Sequence, residues 1–468
     1  MFDFTRPDSW TAIFYFGIIA VLLLLGNTLR RKVPFLRRSL LPTAVIAGFI
    51  GLLLKEFVWA PFVDESEVTS LNLYFSMITY HAIALGFIAL GLKVSEKARF
   101  QLKRGQSLFS GLLIVSTYLI QGLVGLSITL ALSYTFMPDL FRSSGILFPM
   151  GFGQGPGQAL NIGTVYENSY GFAGGASFGL AIASFGFLWA AIFGVVYLNY
   201  LAKKGHVKRQ EVAVDTFKSP QLNSSPDEIP LAESIDKFTI QVVIVLFVYL
   251  VTYGVIRGVT NWLGTGVAGD FGINTVAPLL WGFNFIIGML FALLLKQIFL
   301  LFRKNKLMTR QYPNNFLLNR ISGFVFDIMI VASIVAIRLE DVARYWALLL
   351  SLGLIVGMVT ALYMTFMAHR IYPEYKNEAT LGMFGMLTGT ASTGVILIRE
   401  LDPEFKTPAA SDLVVGSSTA ILFGFPVILL VGLAPVSDAS TWMVLGIIAV
   451  LFSLFAGILL YFNPKVKL

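Results

Sequence analysis

Four hydroxyl side chains fall within six positions of this chain, at Thr388, Thr390, Ser392 and Thr393, with Gly389 among them and Gly394 after them. Much earlier, Gly151, Gly153, Gly155 and Gly157 alternate with Phe152, Gln154 and Pro156, and Gln158, Asn161 and Thr164 follow. Both groups offer neutral oxygens and amides. Glycine at alternate positions permits backbone conformations that a side chain forbids, and lets a ligand approach closely. An unwound turn there exposes carbonyls, such as those of Gly153 and Gly155, that suit Na⁺. A helix starting near Gln158 would aim its N-terminal amides at the same space, which suits a carboxylate. Gln154, Gly155, Gly157, Gln158 and Asn161 are therefore candidate substrate contacts from the first group. Thr388, Gly389, Thr390, Ser392 and Thr393 are candidates from the second, with Thr390 and Ser392 also able to complete a Na⁺ shell. The competing readings are close helix packing by small residues and hydroxyl back-bonding within a helix.

Other candidates sit inside apolar runs, where ionisable groups are costly. Asp327, in GFVFDIMIVASI, would ligate Na⁺ or take a proton, or else lies near the interface close to Arg320. Ser417, Ser418 and Thr419 can face the same cavity, and Ser417 joins the Na⁺ candidates. Arg399 ends the second group and would pair with a substrate carboxylate, unless Glu400 or Asp402 takes it. His81 reads as a hydrogen-bonded packing residue, and Arg257, Arg338 and Lys296 as side chains that snorkel from span ends.

Composition decides what must position these residues. The chain has 468 residues, 56% hydrophobic and 13% charged, with a mean hydropathy of +0.77. This is an all-α polytopic membrane protein. The absence of cysteine rules out disulfides, iron–sulfur sites and cysteine catalysis. Three histidines in unrelated places give no zinc site. The net charge of +8 reflects basic loops rather than nucleic-acid binding. The first apolar segment lacks a basic leader and reads as a retained span.

A spanning helix needs about 20 apolar residues. About eleven segments qualify: 11–29, 40–57, 71–93, 107–136, 172–201, 238–257, 275–302, 321–338, 346–368, 410–433 and 440–462. Basic residues mark every second loop: Arg30, Arg31, Lys32, Arg37 and Arg38; Lys97, Arg99, Lys103 and Arg104; Lys203, Lys204, Lys208 and Arg209; Arg303, Lys304, Lys306 and Arg310; Arg370 and Lys376; and finally Lys465 and Lys467. This alternation places the N-terminus outside and the C-terminus in the cytoplasm of a cell (inner, plasma) membrane.

The polar segment 203–237, with three prolines, reads as a cytoplasmic linker between two halves, 1–202 and 238–433. PTAVIAGFIGLLLK (Pro42 to Lys55) and PLLWGFNFIIGMLFALLLK (Pro278 to Lys296) resemble each other and suggest a repeat spaced by roughly 235 residues. The copies would have opposite topology. Each half then carries a Gly-rich re-entrant loop, at about 143–167 and 378–400, and the two tips meet near the midplane. Residues 434–468 form an extra span outside the repeat.

These features resemble the bacterial sodium/glutamate symporter family. Gly153-Gln154-Gly155-Pro156-Gly157 and Tyr170-Gly171-Phe172 stand where that family has a glycine-alternating motif and a Tyr-Gly-Phe element. Ala183-Ser184-Phe185-Gly186, Phe384-Gly385, Gly389-Thr390-Ala391-Ser392-Thr393 and Leu413-Val414-Val415 match further stretches. Met150-Gly151-Phe152 replaces the family's glycine doublet, and Pro156 interrupts the motif. The resemblance implies Na⁺-coupled uptake of glutamate or a related acidic amino acid by alternating access, with Na⁺ as coupling ion, no cofactor, and a homodimer in the bilayer.

Two alternatives stay open at this stage: a Na⁺- or H⁺-driven symporter of another organic anion, and a channel, since re-entrant loops also build selectivity filters. No nucleophile–base pair and no H-E-x-x-H motif supports an enzyme, and no G-x-x-x-x-G-K-[ST] loop supports ATP-driven transport.

Overall fold

Helices are the only way an open chain can satisfy its own backbone in hydrocarbon, and among the described residues there is no strand. The computed structural model describes residues 9–94, 105–204, 236–267, 269–308, 312–403 and 405–462. Lys97, Arg99, Lys103, Arg104, Lys208, Arg209, Arg310, Lys465, Lys467 and nearly all of the 203–237 segment lie outside the described residues, as does the side chain of Ser418.

The principal helices are α1 Thr11–Lys32, α2 Thr43–Leu54, α3 Glu65–Leu92, α4 Gln106–Thr135, α5 Pro156–Tyr170, α6 Gly175–Lys203 and α7 Lys237–Trp262. They continue with α8 Asn284–Lys304, α9 Asn315–Val335, α10 Trp346–Ile371, α11 Lys376–Thr388, α12 Ala391–Leu401, α13 Ala409–Leu433 and α14 Asp438–Tyr461. Ten, with α2 carried on to Phe62 by the helical turns that follow it, are long and apolar enough to cross a membrane, and α13 makes up to eleven, matching the sequence expectation. α13 is bent by 58° between Ala409–Ile421 and Pro426–Val436. Pro426, inside the helix, removes a backbone donor and crowds the preceding turn.

Of these principal helices, three are too short to span. α5, α11 and α12 have 15, 13 and 11 residues. At about 1.5 Å per residue they fall short of the ~30 Å hydrocarbon core. They are the helices that carry the polar and Gly-rich segments.

The chain divides into two compact units, one drawn from 1–79, 98–197 and 329–468, the other from 80–97 and 198–328. In the first, α4 is the central helix, buried along most of its length by apolar residues and by Ser110, Ser116, Thr117, Gln121 and Thr129. Small residues let backbones touch there. A Cβ on Gly145 would lie 2.1 Å from the Gly125 carbonyl oxygen. α14 packs on α4 and on the segment after it. Its Thr441 Oγ1 lies 3.0 Å from Ser143 Oγ, and Asp438 pairs with Arg142. The last span thus braces the chain that enters the first Gly-rich segment, a role that its sequence did not disclose.

The second unit closes around Ile88, Leu92, Val245, Val248, Ala292 and Leu318. His81 Nδ1 lies 2.6 Å from Tyr249 Oη, as expected of a hydrogen-bonded packing residue. Asn315 is bound to both the N–H and the carbonyl of Val94, at 2.8 and 2.7 Å.

Candidate functional site

The first Gly-rich segment enters along α4 and leaves along α6. A π-helical turn, Pro149–Gly153, leads to Gly155, which has φ +92° and ψ −179°. No residue with a side chain adopts that conformation readily. Helix α5 starts immediately afterwards, with Pro156 at its first position and no side-chain cap. The N–H groups of its first turn are therefore left for something other than the cap. α5 packs closely on α6: a Cβ at Gly163 would be 2.3 Å from the Gly175 carbonyl oxygen, and one at Gly179 2.4 Å from that of Ala159. α5 ends at Gly171, in the left-handed region at φ +73°, with the Phe172 N–H returning to the Tyr166 carbonyl at 3.1 Å.

The second segment is a helical hairpin. α11 and α12 run antiparallel, with Gly394 so close to Gly382 that a Cβ would lie 2.4 Å from its carbonyl oxygen. Gly389, at φ −141° and ψ −104°, ends α11. Thr390 caps α12, its Oγ1 accepting from the Thr393 N–H at 3.3 Å.

These two breaks meet within the first compact unit. The Cβ direction of Gly155 points at the Gly389 carbonyl oxygen, 3.7 Å from where a Cβ would stand. A Cβ on Gly186 of α6 would lie 2.1 Å from the Thr388 carbonyl oxygen. Gln121 of α4 donates from Nε2 to the Leu387 carbonyl at 2.9 Å. Two helix N-termini therefore begin at one place, from segments far apart in sequence.

The candidates separate accordingly. Gly153, Gln154, Gly155, Gly157, Gln158 and Asn161 stand at the first break or in the first turns of α5. Gln158 is 3% exposed, and its Oε1 has no hydrogen-bond partner. Thr388, Gly389, Thr390, Ser392 and Thr393 stand at the second break, but not all are available. Thr388 Oγ1 is bonded back to the Phe384 carbonyl at 2.8 Å. Thr393 Oγ1 lies 3.1 Å from Thr390 Oγ1, whereas Ser392 is exposed. Ser417 Oγ bonds the Leu413 carbonyl at 2.6 Å and reaches Met386 Sδ at 3.3 Å, on the flank of α11. Thr419 instead bonds Ser107 of α4 at 2.6 Å, a helix–helix contact.

Arg399 lies toward the far end of α12, about 13 Å along the axis from Thr390. There Glu400 feels the charges of Arg399 and Arg30. Asp402, the other partner considered for Arg399, is committed elsewhere: it accepts from the Lys406 N–H at 2.8 Å and the Thr407 N–H and Oγ1, each at 2.7 Å. Burial pushes its carboxyl up, but the bonds from Thr407 and Lys406 prevail and hold it below the usual carboxylate range. Asp327, on α9, falls in the second compact unit. Arg338 does not merely snorkel. It pairs with Glu167 at the end of α5, 2.8 Å, and with Asp341, 2.6 Å.

Three polar residues with no conspicuous motif are buried and bonded across the chain. Gln121 interrupts an apolar run in α4. Asp412, fully buried, accepts from Tyr375 Oη at 2.5 Å and from Gln106 Nε2 at 2.9 Å, tying the starts of α13, α11 and α4 together. Lys55 donates to Asn72 Oδ1 at 2.9 Å and to the Ile337 carbonyl at 2.6 Å, and pairs with Glu56 at 2.9 Å. The only sequence signal in each case is a polar side chain in an apolar setting.

No curated protein matches this chain in sequence comparison. A family profile does: that of the sodium/glutamate symporters, over residues 11–400. The match takes in both helix breaks. It stops before α13, so the likeness at Leu413-Val414-Val415 lies beyond it. It identifies a multi-pass membrane transporter rather than an enzyme, and on its extent the chain belongs to the sodium/glutamate symporter family.

Proposed function

We propose that this protein is a secondary active transporter that couples the inward Na⁺ gradient to uptake of glutamate or a related acidic amino acid by alternating access. One observation carries the reading: two interrupted helices, one from each half of the sequence, meet at Gly155 and Gly389. Paired broken helices are where transporters bind substrate and coupling ion.

The chemistry follows from what each break offers. α5 begins at Gly155 without a side-chain cap, and α12 begins at Thr390. Two sets of N-terminal amides therefore surround one space, and both favour a carboxylate. Gln154, Gln158, Asn161, Thr390 and Ser392 add neutral hydrogen-bonding groups that would orient the rest of an amino acid. Na⁺ is cargo here, and the carbonyls of Gly153 and Gly155 with the Thr390 and Ser392 hydroxyls are the oxygens for it. The orphaned, buried Oε1 of Gln158 fits a site that a cation or an ammonium group completes.

In this reading α5, α11 and α12 are the legs of two re-entrant segments entering from opposite faces. The halves 1–202 and 238–433 are inverted copies joined by the 203–237 linker. The basic loops place the C-terminus in the cytoplasm of the plasma (inner) membrane, and the homodimer implied by family likeness belongs to the same proposal. Coupling arises if substrate binds best to the Na⁺-loaded state, a reciprocal free energy. Competition tests substrate class: Na⁺-driven uptake of labelled L-glutamate should be blocked by unlabelled acidic amino acids and not by neutral ones. Blockade by unrelated organic anions with no effect of glutamate would reassign the cargo.

A further inference from the structure

Gln121 lies near the middle of α4, 1% exposed. Its amide orientation is fixed by chemistry rather than by choice. Nε2 is 2.9 Å from the Leu387 carbonyl oxygen and 3.4 Å from Thr360 Oγ1. The Thr360 hydroxyl is itself spent on the Val356 carbonyl at 2.7 Å, so it accepts. Rotating the amide would set oxygen against oxygen at Leu387. Oε1 must therefore point the other way, and there it has no hydrogen-bond partner. What it faces is the first helix break: a Cβ on Gly153 would stand 3.2 Å from it. Tyr118 covers the same glycine with its ring, 2.3 Å from that Cβ position, and excludes any side chain there.

A buried amide oxygen without a donor is uncommon, and each such case calls for an explanation. A hard monovalent cation takes oxygen ligands. The Pro149–Gly153 turn packs on α4, and a second orphaned oxygen, Gln158 Oε1, belongs to the first turn of the helix that follows.

We infer that Gln121 is a Na⁺ ligand and the physical link between the two helix breaks: Oε1 binds the ion at the first while Nε2 holds the carbonyl of Leu387 at the second. This rests on the Na⁺-coupled reading above and adds a residue and a direction of coupling to it. A cation on Oε1 draws electron density through the amide and makes its N–H a stronger donor. The bond to Leu387 then tightens, and the end of α11 is held where substrate needs it. Without the ion that bond is weaker and the hairpin tip is freer. Na⁺ occupancy at one break is thereby read at the other through a single side chain.

Purified protein in detergent is titrated with NaCl against choline chloride at constant ionic strength. Thermal stability and amide exchange over residues 386–390 are followed in the wild type and in Gln121→Leu. The wild type should gain stability and lose exchange at the α11 end as Na⁺ rises. In Gln121→Leu the half-saturating Na⁺ concentration should rise at least tenfold and the exchange response should vanish. Its melting temperature in choline should fall, because the Leu387 carbonyl loses its Nε2 donor, so the Na⁺ midpoint and the exchange response carry the test. If Gln121→Leu does not fold, Gln121→Met, which keeps length and flexibility, is held to the same criteria. A variant with the wild-type Na⁺ midpoint overturns the role of Gln121 and leaves Na⁺ coupling standing. A wild type indifferent to Na⁺ in both readouts overturns the coupled reading itself.

Discussion

The carbonyl oxygen of Thr388 rests against the α-carbon of Gly186, so that a Cβ on that glycine would stand 2.1 Å away. Only a residue without a side chain lets α6 pass the tip of α11 at this distance. The obstacle is backbone rather than the end of a flexible side chain, so relief requires moving a helix. Gly186→Ala should destabilise by at least the 1–3 kcal/mol or so typical of overpacking, seen as a lower melting temperature. It should also displace the second break and reduce uptake at least tenfold in whatever protein remains folded.

Gly155→Ala isolates conformation from crowding. The nearest atom to a Cβ there is 3.7 Å away, an ordinary contact, but φ is +92°. The cost is strain of the order of 1–3 kcal/mol. The variant should fold and sit in the membrane, with uptake impaired through a raised KM. Gly153→Ala, where a Cβ would press on the Tyr118 ring at 2.3 Å, should be the more damaging to folding. Comparing melting temperatures with KM in both variants checks this order.

Asp412→Ala leaves Tyr375 Oη and Gln106 Nε2 without their shared acceptor at the base of the hairpin. Hydrogen bonds to a charged group contribute about 1.5–3 kcal/mol. Stability should fall by that order, measured as a shift in thermal unfolding. Tyr375→Phe removes one donor only, since Gln106 still reaches the carboxylate, and should cost less than Asp412→Ala.

Asp402 makes stability depend on acid. Its carboxyl is held below the usual range in the fold, whereas in the unfolded chain it titrates near about 3.9. A depressed folded value means the stabilisation is complete above the unfolded value and is lost as pH falls through the folded one. The melting-temperature gap between wild type and Asp402→Asn should therefore be constant from neutral pH down to about pH 5 and shrink at lower pH. A gap independent of pH down to the acid limit would contradict this.

Much of the architecture was legible because the membrane imposes it. The helical spans follow from the length of apolar runs, and the helix breaks at Gly155 and Gly389 follow from glycine, proline and clustered hydroxyls where a continuous helix was otherwise expected. What escaped notice depends on pairing across the chain. Arg338 gave no local hint of Glu167, nor Asp412 of Gln106 and Tyr375, because their partners lie far away in sequence. The bend at Pro426 was disguised by an apolar run long enough to read as straight. Arg399 drew attention as a cation beside the second break, but helical rise carries it away from the tip. Thr388 stands at the second break, but its hydroxyl bonds back within its own helix, a pairing that its neighbours in sequence do not reveal.

Concentrative uptake tests the central claim most directly. Purified protein in proteoliposomes is given labelled L-glutamate with an inward Na⁺ gradient, beside vesicles with K⁺ in its place. The account expects glutamate to accumulate above its external concentration and the accumulation to collapse when Na⁺ is replaced. Glutamate entry that only equilibrates, or that proceeds equally in K⁺, would contradict Na⁺-coupled symport through the paired helix breaks.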